Sequence, residues 1–331
     1  MAKIQLLVVQ NGKTTDMTAL VKSVHWKGRK GSSARSITVT MIDDDGYKHA
    51  RSGIDVAEGH QCVFLVDGKE RFRGILMNQG QSDKKQLKFL AYDNGIYLAN
   101  NKDTFVYKNK TADQIFTDVC SRFGIPTGDV AKCSYKIPEL TKSKTTGQDT
   151  VLDALSLDYK ATGTRHYISS DGGKLSLFQR KDQVISYVVD GNSTLYGYSY
   201  TKSIENIKTR VKMISKEGTT LAEKSNADLE KKIGIFQDIQ QPDESLTKAQ
   251  VSDLVGSVLE TLDKPEETLD LDVLGDADVI SGKAILVRIP HLGISRAYYV
   301  DDDDHLFEDN AHTMSLTLTT AAEIKKGADQ K

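Results

Sequence analysis

Two stretches far apart in the chain, Gly53–Met77 (GIDVAEGHQCVFLVDGKERFRGILM) and Gly275–Val300 (GDADVISGKAILVRIPHLGISRAYYV), follow one plan. Each contains Asp-Val-x-x-Gly, at Asp55–Gly59 and Asp278–Gly282, and each starts an apolar strand three residues after that glycine, at Cys62 and Ile285. Each turns back into a second apolar strand, then passes through a polar turn into an alternating one. That last strand carries Leu87, Phe89 and Ala91 in the first copy and Met314, Leu316 and Leu318 in the second. The short motif alone would recur by chance. Shared spacing and strand order along both stretches point to a duplicated small β-barrel with a helical middle between the copies.

Working outward, the first hundred residues read as strands. Ser36–Ile42 (SITVTMI) alternates Ile37, Val39 and Met41 with polar residues, the period of a half-buried strand. Asn11-Gly12 and Asp67-Gly68 suit tight turns with left-handed dihedrals. In the middle, Thr111 with Gln114 forms a capping box ahead of Ile115, Phe116, Val119, Cys120 and Phe123, and Gly124 and Pro126 stop that helix. A second helix is expected from Thr150 to about Ala161, and a hairpin across Asp171-Gly172-Gly173. After about residue 195 strands return, interrupted by a helix that Thr247 and Gln250 cap and Pro265 follows. The fold class expected is α+β, mainly β.

At 331 residues the chain exceeds what a single hydrophobic core usually serves, so more than one domain is expected. No apolar run approaches the roughly 20 residues of a membrane helix, and the N-terminus lacks a signal-peptide core. Three cysteines, Cys62, Cys120 and Cys133, are odd in number and widely spaced, against both a disulfide framework and a zinc knuckle. Assembly in a reducing cytoplasm is expected. The net charge of −2 gives no overall basic footprint for nucleic acid. Its distribution is uneven: residues 1–100 hold 15 Lys/Arg against 10 Asp/Glu (+5), residues 262–331 hold 7 against 15 (−8).

Two clusters stand out. Tyr298–Leu318 (YYVDDDDHLFEDNAHTMSLTL) packs six acids and two histidines between apolar segments. Asp301, Asp302, Asp303, Asp304, His305 and His312 offer oxygens that suit Ca²⁺ or Mg²⁺. The stretch nevertheless lacks the glycine and terminal glutamate of an EF-hand, and His-x6-His is neither zinc-finger nor HExxH spacing. We read it as a solvated turn or subunit contact, with no metal assigned. The other cluster, Trp26, Lys27, Arg29, Lys30 with nearby Arg35, is basic with an aromatic. It could stack and pair with nucleic acid, but no basic stripe continues it, so a loop contacting another subunit, anchored by Trp26, is expected instead. No GxSxG, P-loop, GxGxxG or HExxH is present, so no catalytic residues and no cofactor are assigned.

The stretches WKGRKGSSARSITVTMI (26–42), LKFLAYDNGIYLANNK (87–102), KTADQIFTDVCSRFGIPTG (110–128), GIFQDIQQPDE (234–244) and Tyr298–Leu318 together resemble the baseplate hub family of contractile phage tails and phage-derived bacteriocins. The likeness is to the XkdQ-like hubs of PBSX-type elements, and more distantly to late control protein D and the N-terminal part of VgrG. It runs from about residue 3 to 320, and order and spacing carry it more than any one motif.

The resemblance implies a first tube-like β-barrel at 1–95, a mixed α/β hub insertion domain at 96–190, a second barrel at 191–320 with a helical insertion around 223–263, and a polar tail at 321–331. It implies a homotrimer, whose duplicated barrels would let a threefold spike meet a hexameric tail tube and leave an axial channel. The implied partners are the tail tube protein, the central spike protein and other baseplate proteins, a LysM-type protein and the tape measure among them, with no specific nucleic-acid binding and no membrane insertion. The place is the baseplate of a phage tail or bacteriocin particle (tailocin), assembled in the bacterial cytoplasm. Readings of another class are a tail-associated peptidoglycan hydrolase and a carbohydrate- or envelope-binding β-module.

Overall fold

The computed structural model describes residues 2–42, 56–82, 86–191, 193–242 and 246–320. Asp55 of the first repeat and the polar tail from residue 321 lie outside these residues. The N-terminal region consists of β1 (Ile4–Gln10), β2 (Lys13–Asp16), β3 (Val21–Arg29), β4 (Ser36–Ile42), β5 (Gln61–Val66), β6 (Lys69–Ser82) and β7 (Gln86–Asp93). Asn11-Gly12 and Asp67-Gly68 close the β1–β2 and β5–β6 hairpins with positive φ at all four residues, the geometry that a right-handed twist of the flanking strands requires. Alternation in β4 buries Ile37, Val39 and Met41 against Phe64, Phe72 and Phe89.

The middle runs α1 (Gly95–Asn100), β8 (Lys102–Thr111), α2 (Ala112–Arg122), β9 (Thr127–Val130), β10 (Lys136–Thr146), α3 (Gly147–Thr162), β11 (His166–Asp171) and β12 (Lys174–Gln179). Helix α2 carries the expected capping box, and its Ile115, Phe116, Val119 and Cys120 are buried. Helix α3 starts three residues earlier than the sequence reading placed it, because the Thr146 hydroxyl accepts from the Asp149 amide and so moves the cap upstream. The two helices share a core with Phe105, Ile137, Ile168 and Leu177.

Next come β13 (Val184–Asp190) and β14 (Leu195–Ser203), and then β15 (Arg210–Ile214), β16 (Thr220–Ser225), α4 (Ala227–Ile233), β17 (Gln237–Gln240) and α5 (Lys248–Leu262). The chain ends in β18 (Glu266–Leu274), β19 (Ala284–Ile289), β20 (Ile294–Glu308) and β21 (Ala311–Thr320). The described residues of 199–269 form one compact unit and those of 2–198 with 270–320 another. The smaller unit has its own sheet, β16-β15-β17, and its own core of Val211, Met213, Val251, Val255 and Leu259 under α5. Thr247 and Gln250 cap that helix reciprocally, as their spacing predicts.

The main sheet is ordered β14-β18-β21-β20-β3-β4-β7-β6-β5-β1-β2, with β19 also pairing β20 and β13 pairing β19. Within it the repeated stretches adopt matching local geometry. Gly59 and Gly282 both have positive φ (87° and 93°). The Gly59 amide donates to the Leu76 carbonyl at 2.9 Å and the Gly282 amide to the Val300 carbonyl at 2.9 Å. The next carbonyl in each copy, His60 or Lys283, accepts from the amide of Leu76 or Val300. One residue further on, both long strands break register, β6 between Leu76 and Asn78 and β20 between Val300 and Asp302.

Because the smaller unit has its own core, Leu259→Ala should lower its stability by about 2–5 kcal/mol. Hydrogen exchange of the full chain should then quicken at β15, β16 and β17, while the amides of β3 and β20 keep the wild-type rate.

Candidate functional site

The two clusters that the sequence presents as separate surfaces lie on adjacent strands. Strand β20 pairs β3 antiparallel, with Asp302 opposite Arg29, Asp303 opposite Gly28, Asp304 opposite Lys27 and His305 opposite Trp26. Two expectations are corrected here. Asp301–Asp304 is not a solvated turn: it lies within β20, and the turn falls at Asp309-Asn310, both with positive φ. Nor is Trp26 the anchor of an exposed loop, because it lies in β3 with its ring 2% exposed inside the N-terminal core. A side chain enclosed by its own chain has no face left to offer another subunit.

Strand geometry sorts the acids. Alternate residues point to opposite faces, so Asp303 and His305 turn inward and Asp302 and Asp304 outward. On the outer face Lys27 reaches Asp304 at 2.6 Å, His25 reaches the same carboxylate at 3.1 Å, and Arg29 stands 3.9 Å from Asp302. These pairs are half exposed and each contributes little.

The inward pair is different. Arg35 grips Asp303 with both ends of its guanidinium, at 2.9 and 2.5 Å, and both side chains are buried. The Arg35 guanidinium lies 4.3 Å above the Trp26 ring. Asp303 also accepts from the Ser281 amide at 2.6 Å, so the second repeat's Asp-Val-x-x-Gly segment seals the pair from below. Burial works to raise the Asp303 pKa; Arg35, in contact and hydrogen-bonded, outweighs it and holds the carboxyl below its ordinary value. Gly28 makes the room: a Cβ there would collide with the Arg35 guanidinium.

Asp301 sits at the register break, where β20 exchanges β19 for β3 as its neighbour. Its carboxylate is held by Arg180, by Lys30 at 2.9 Å and by the Thr319 hydroxyl at 3.1 Å. Arg180 also donates to the Val300 carbonyl at 3.0 Å and stacks 4.2 Å over Tyr299. Burial alone would raise the Asp301 pKa, but these cations bring it below the usual carboxylate value.

His305 and His312 form a neutral relay. The Val279 carbonyl can only accept, so His305 carries its proton on Nε2 and donates at 2.8 Å. Its Nδ1 therefore accepts from His312 Nε2 at 3.0 Å. Burial lowers both pKa values, that of His312 to about 3 with His305 as the next cause. Both nitrogens of His305 are thus engaged within the chain, and its acidic neighbours are neutralised by arginine and lysine. The arrangement fits a locked joint and offers neither a free base nor a vacant ligand set for catalysis.

Residues 24–319 match the YQBQ-like family model. The chain belongs to the YQBQ-like family. Among its relatives, this YQBQ-like chain is 31% identical over 330 residues to the protein YqbQ of Bacillus subtilis (strain 168), covering 98% of this chain and 99% of that one. It is 30% identical over 328 residues to the phage-like element PBSX protein XkdQ of the same organism, with the same coverage. Its fold is similar to the 43 kDa tail protein of prophage MuSo2 from Shewanella oneidensis, at a TM-score of 0.69, 14% identity and coverage of 95% of this chain and 97% of that one.

Arg35→Met should destabilise the protein by about 3–5 kcal/mol, because Asp303 is left buried without its cation. Arg35→Met with Asp303→Leu should lose much less, a coupling that denaturant unfolding of the double-mutant cycle measures. The histidines make a second expectation. In the unfolded chain His312 takes a proton near its ordinary 6.5, but in the folded chain only near 3, so acidification between those values favours unfolding. Asp93, raised to about 6 by burial, acts in the opposite sense between 3.8 and 6. His312→Gln should therefore flatten the acid side of the stability curve, read as unfolding free energy against pH.

Proposed function

We propose that this YQBQ-like protein is a structural component of a phage-type tail, the homotrimeric hub of a contractile baseplate or tailocin that adapts a hexameric tail tube to a threefold central spike. Kinship with a phage-like element protein, and a fold like that of a prophage tail protein, support a tail component. The hub reading rests on the order of strands. The N-terminal half runs β3-β4-β7-β6-β5-β1 and the C-terminal half β14-β18-β21-β20-β19-β13, so each position has a counterpart in order, with β13 parallel to β19 where β1 is antiparallel to β5. On this reading each half is one tube-like barrel, and residues 204–265 interrupt the second between β14 and β18, where the first has the short β3–β4 connection.

The joint between halves is the observation that carries the reading. Beyond its register break β20 takes β3, the first strand of the other half, as a neighbour. The counterparts of those two strands are β6 and β14. Among the described residues β6 beyond Met77 pairs only β7, and β14 is an end strand of the sheet pairing only β18. Repeating the internal joint between copies would put β14 of one chain beside β6 of the next. Those two edges would then be covered and the ring closed, with three chains supplying six repeats. Tyr196 and Tyr198, 67% and 44% exposed on β14, suit such a contact. The work is then done by surfaces, in the company of tube, spike and other baseplate proteins.

Light scattering across a concentration series should give a mass near three chains. Tyr196→Lys with Tyr198→Lys should reduce it to one chain that keeps the wild-type circular dichroism spectrum, since edge lysines block strand pairing. A particle assembled with that variant should lack its baseplate in negative-stain images. A single-chain mass at all concentrations, or a trimer indifferent to both lysines, would overturn the reading.

A further inference from the structure

Cys133, Asp158 and His166 converge in the middle region, separate from the Arg35–Asp303 and Asp301 clusters. They come from three elements: the segment between β9 and β10, helix α3, and the first residue of β11. Their ligand atoms all lie within 4.8 Å of one another. The His166 Nδ1 is 3.3 Å from Asp158 Oδ2 and 3.8 Å from the Cys133 sulfur. Asp158 and the His166 side chain are almost completely buried, at 0% and 1% exposure, and Cys133 is 7% exposed.

The carboxylate is the informative member. Its Oδ1 accepts from the Tyr135 amide at 3.2 Å, which fixes its orientation, while its buried Oδ2 has no hydrogen-bond partner of acceptable direction. A carboxylate oxygen buried without a hydrogen bond is costly, and His166 faces it at 3.3 Å out of hydrogen-bond direction. The nearest groups to it are an imidazole nitrogen and a thiol. Cysteine, histidine and aspartate are the donors that a borderline-soft divalent ion such as Zn²⁺ takes together.

We propose that Cys133, Asp158 and His166 bind one Zn²⁺-like divalent cation. With metal–ligand lengths of about 2.0–2.3 Å, a tetrahedral site places N and O about 3.3 Å apart and N and S about 3.5 Å apart. The separations here are 3.3 and 3.8 Å. The sulfur stands equally far, 3.8 Å, from both ring nitrogens, so it lies off the lone-pair axis of each. Binding requires Cys133 to rotate toward Nδ1, and it loses its proton as the metal–sulfur bond forms. Water fills the fourth position. The Cys133 amide donates to Asp113 at 3.3 Å, which steadies the segment from outside the ligand set. The ion would tie helix α3 to two neighbouring segments.

The same geometry weighs against a cysteine nucleophile. Burial pushes the Cys133 thiol up to about 12, and no in-line hydrogen bond runs from sulfur to imidazole.

The test uses the full chain, stripped with chelator and titrated with Co²⁺ as the probe. Saturation at one ion per chain is expected, with a near-ultraviolet thiolate-to-cobalt band and the strong visible bands of a four-coordinate ion, both removed by added Zn²⁺. Cys133→Ser should abolish the thiolate band, and Zn²⁺ should raise the Tm of the wild type. Should Cys133→Ser not fold, Cys62→Ala and Cys120→Ala decide the assignment: each should keep the band, leaving Cys133 as the sulfur. A folded wild-type chain that gives no thiolate band in excess Co²⁺ would overturn the proposal. So would a band that survives Cys133→Ser or that disappears in a folded Cys62→Ala or Cys120→Ala variant.

Discussion

The pairing of β3 with β20 is what makes the two halves of the main sheet one structure, and a buried charge pair lies at its seam. Arg35 and Asp303 are both withdrawn from water, which is costly for each, and the cost is offset only when the guanidinium meets the carboxylate with both ends. A slip of β20 by one residue would turn His305 to the outer face and bring Asp302 or Asp304 opposite Gly28 in place of Asp303, still beside Arg35. An apolar seam would hold the halves together at least as strongly, but it would tolerate more than one alignment. Within the run of four aspartates the choice falls to His305, which meets Val279 and His312 only in the observed alignment.

This also accounts for the charge imbalance along the sequence. The excess of basic residues in the first hundred and of acids in the last seventy reads as two oppositely charged surfaces. Part of that asymmetry is instead matched within the chain, Lys27 to Asp304, Lys30 to Asp301, Arg35 to Asp303. Charges separated by some 270 positions in sequence neutralise one another on neighbouring strands.

Local chemistry was legible in the sequence, and long-range chemistry was not. Asn11-Gly12 and Asp67-Gly68 turns, and the Thr111/Gln114 and Thr247/Gln250 caps, are specified within a few residues, and the structure has all four. The recurring Asp-Val-x-x-Gly led to the matched positions of Gly59 and Gly282. Asp301–Asp304 misled because a strand is recognised by apolar alternation, and here the inward positions are an aspartate and a histidine whose partners lie elsewhere. One signal was available: Lys27 and Arg29 alternate with Trp26 and Gly28 at the period of a strand, a complement to the acidic run. No such signal joins Cys133, Asp158 and His166, whose spacing follows no motif and whose meeting depends on how α3 packs.

The long reach of the β3–β20 pairing also bears on how the protein is made. A ribosome finishes β3 and Arg35 long before it reaches Asp303, and the whole middle region and the smaller unit emerge in between. During that interval the N-terminal strands can fold around Phe64, Phe72 and Phe89, yet one edge stays bare and one arginine lacks its counter-ion. Pairings so distant in sequence form slowly, and a bare edge is open to another nascent chain meanwhile. Until β20 emerges the edge of β3 has no partner across the seam, and a transcript truncated after the smaller unit would release a half-sheet prone to pair with the wrong neighbour.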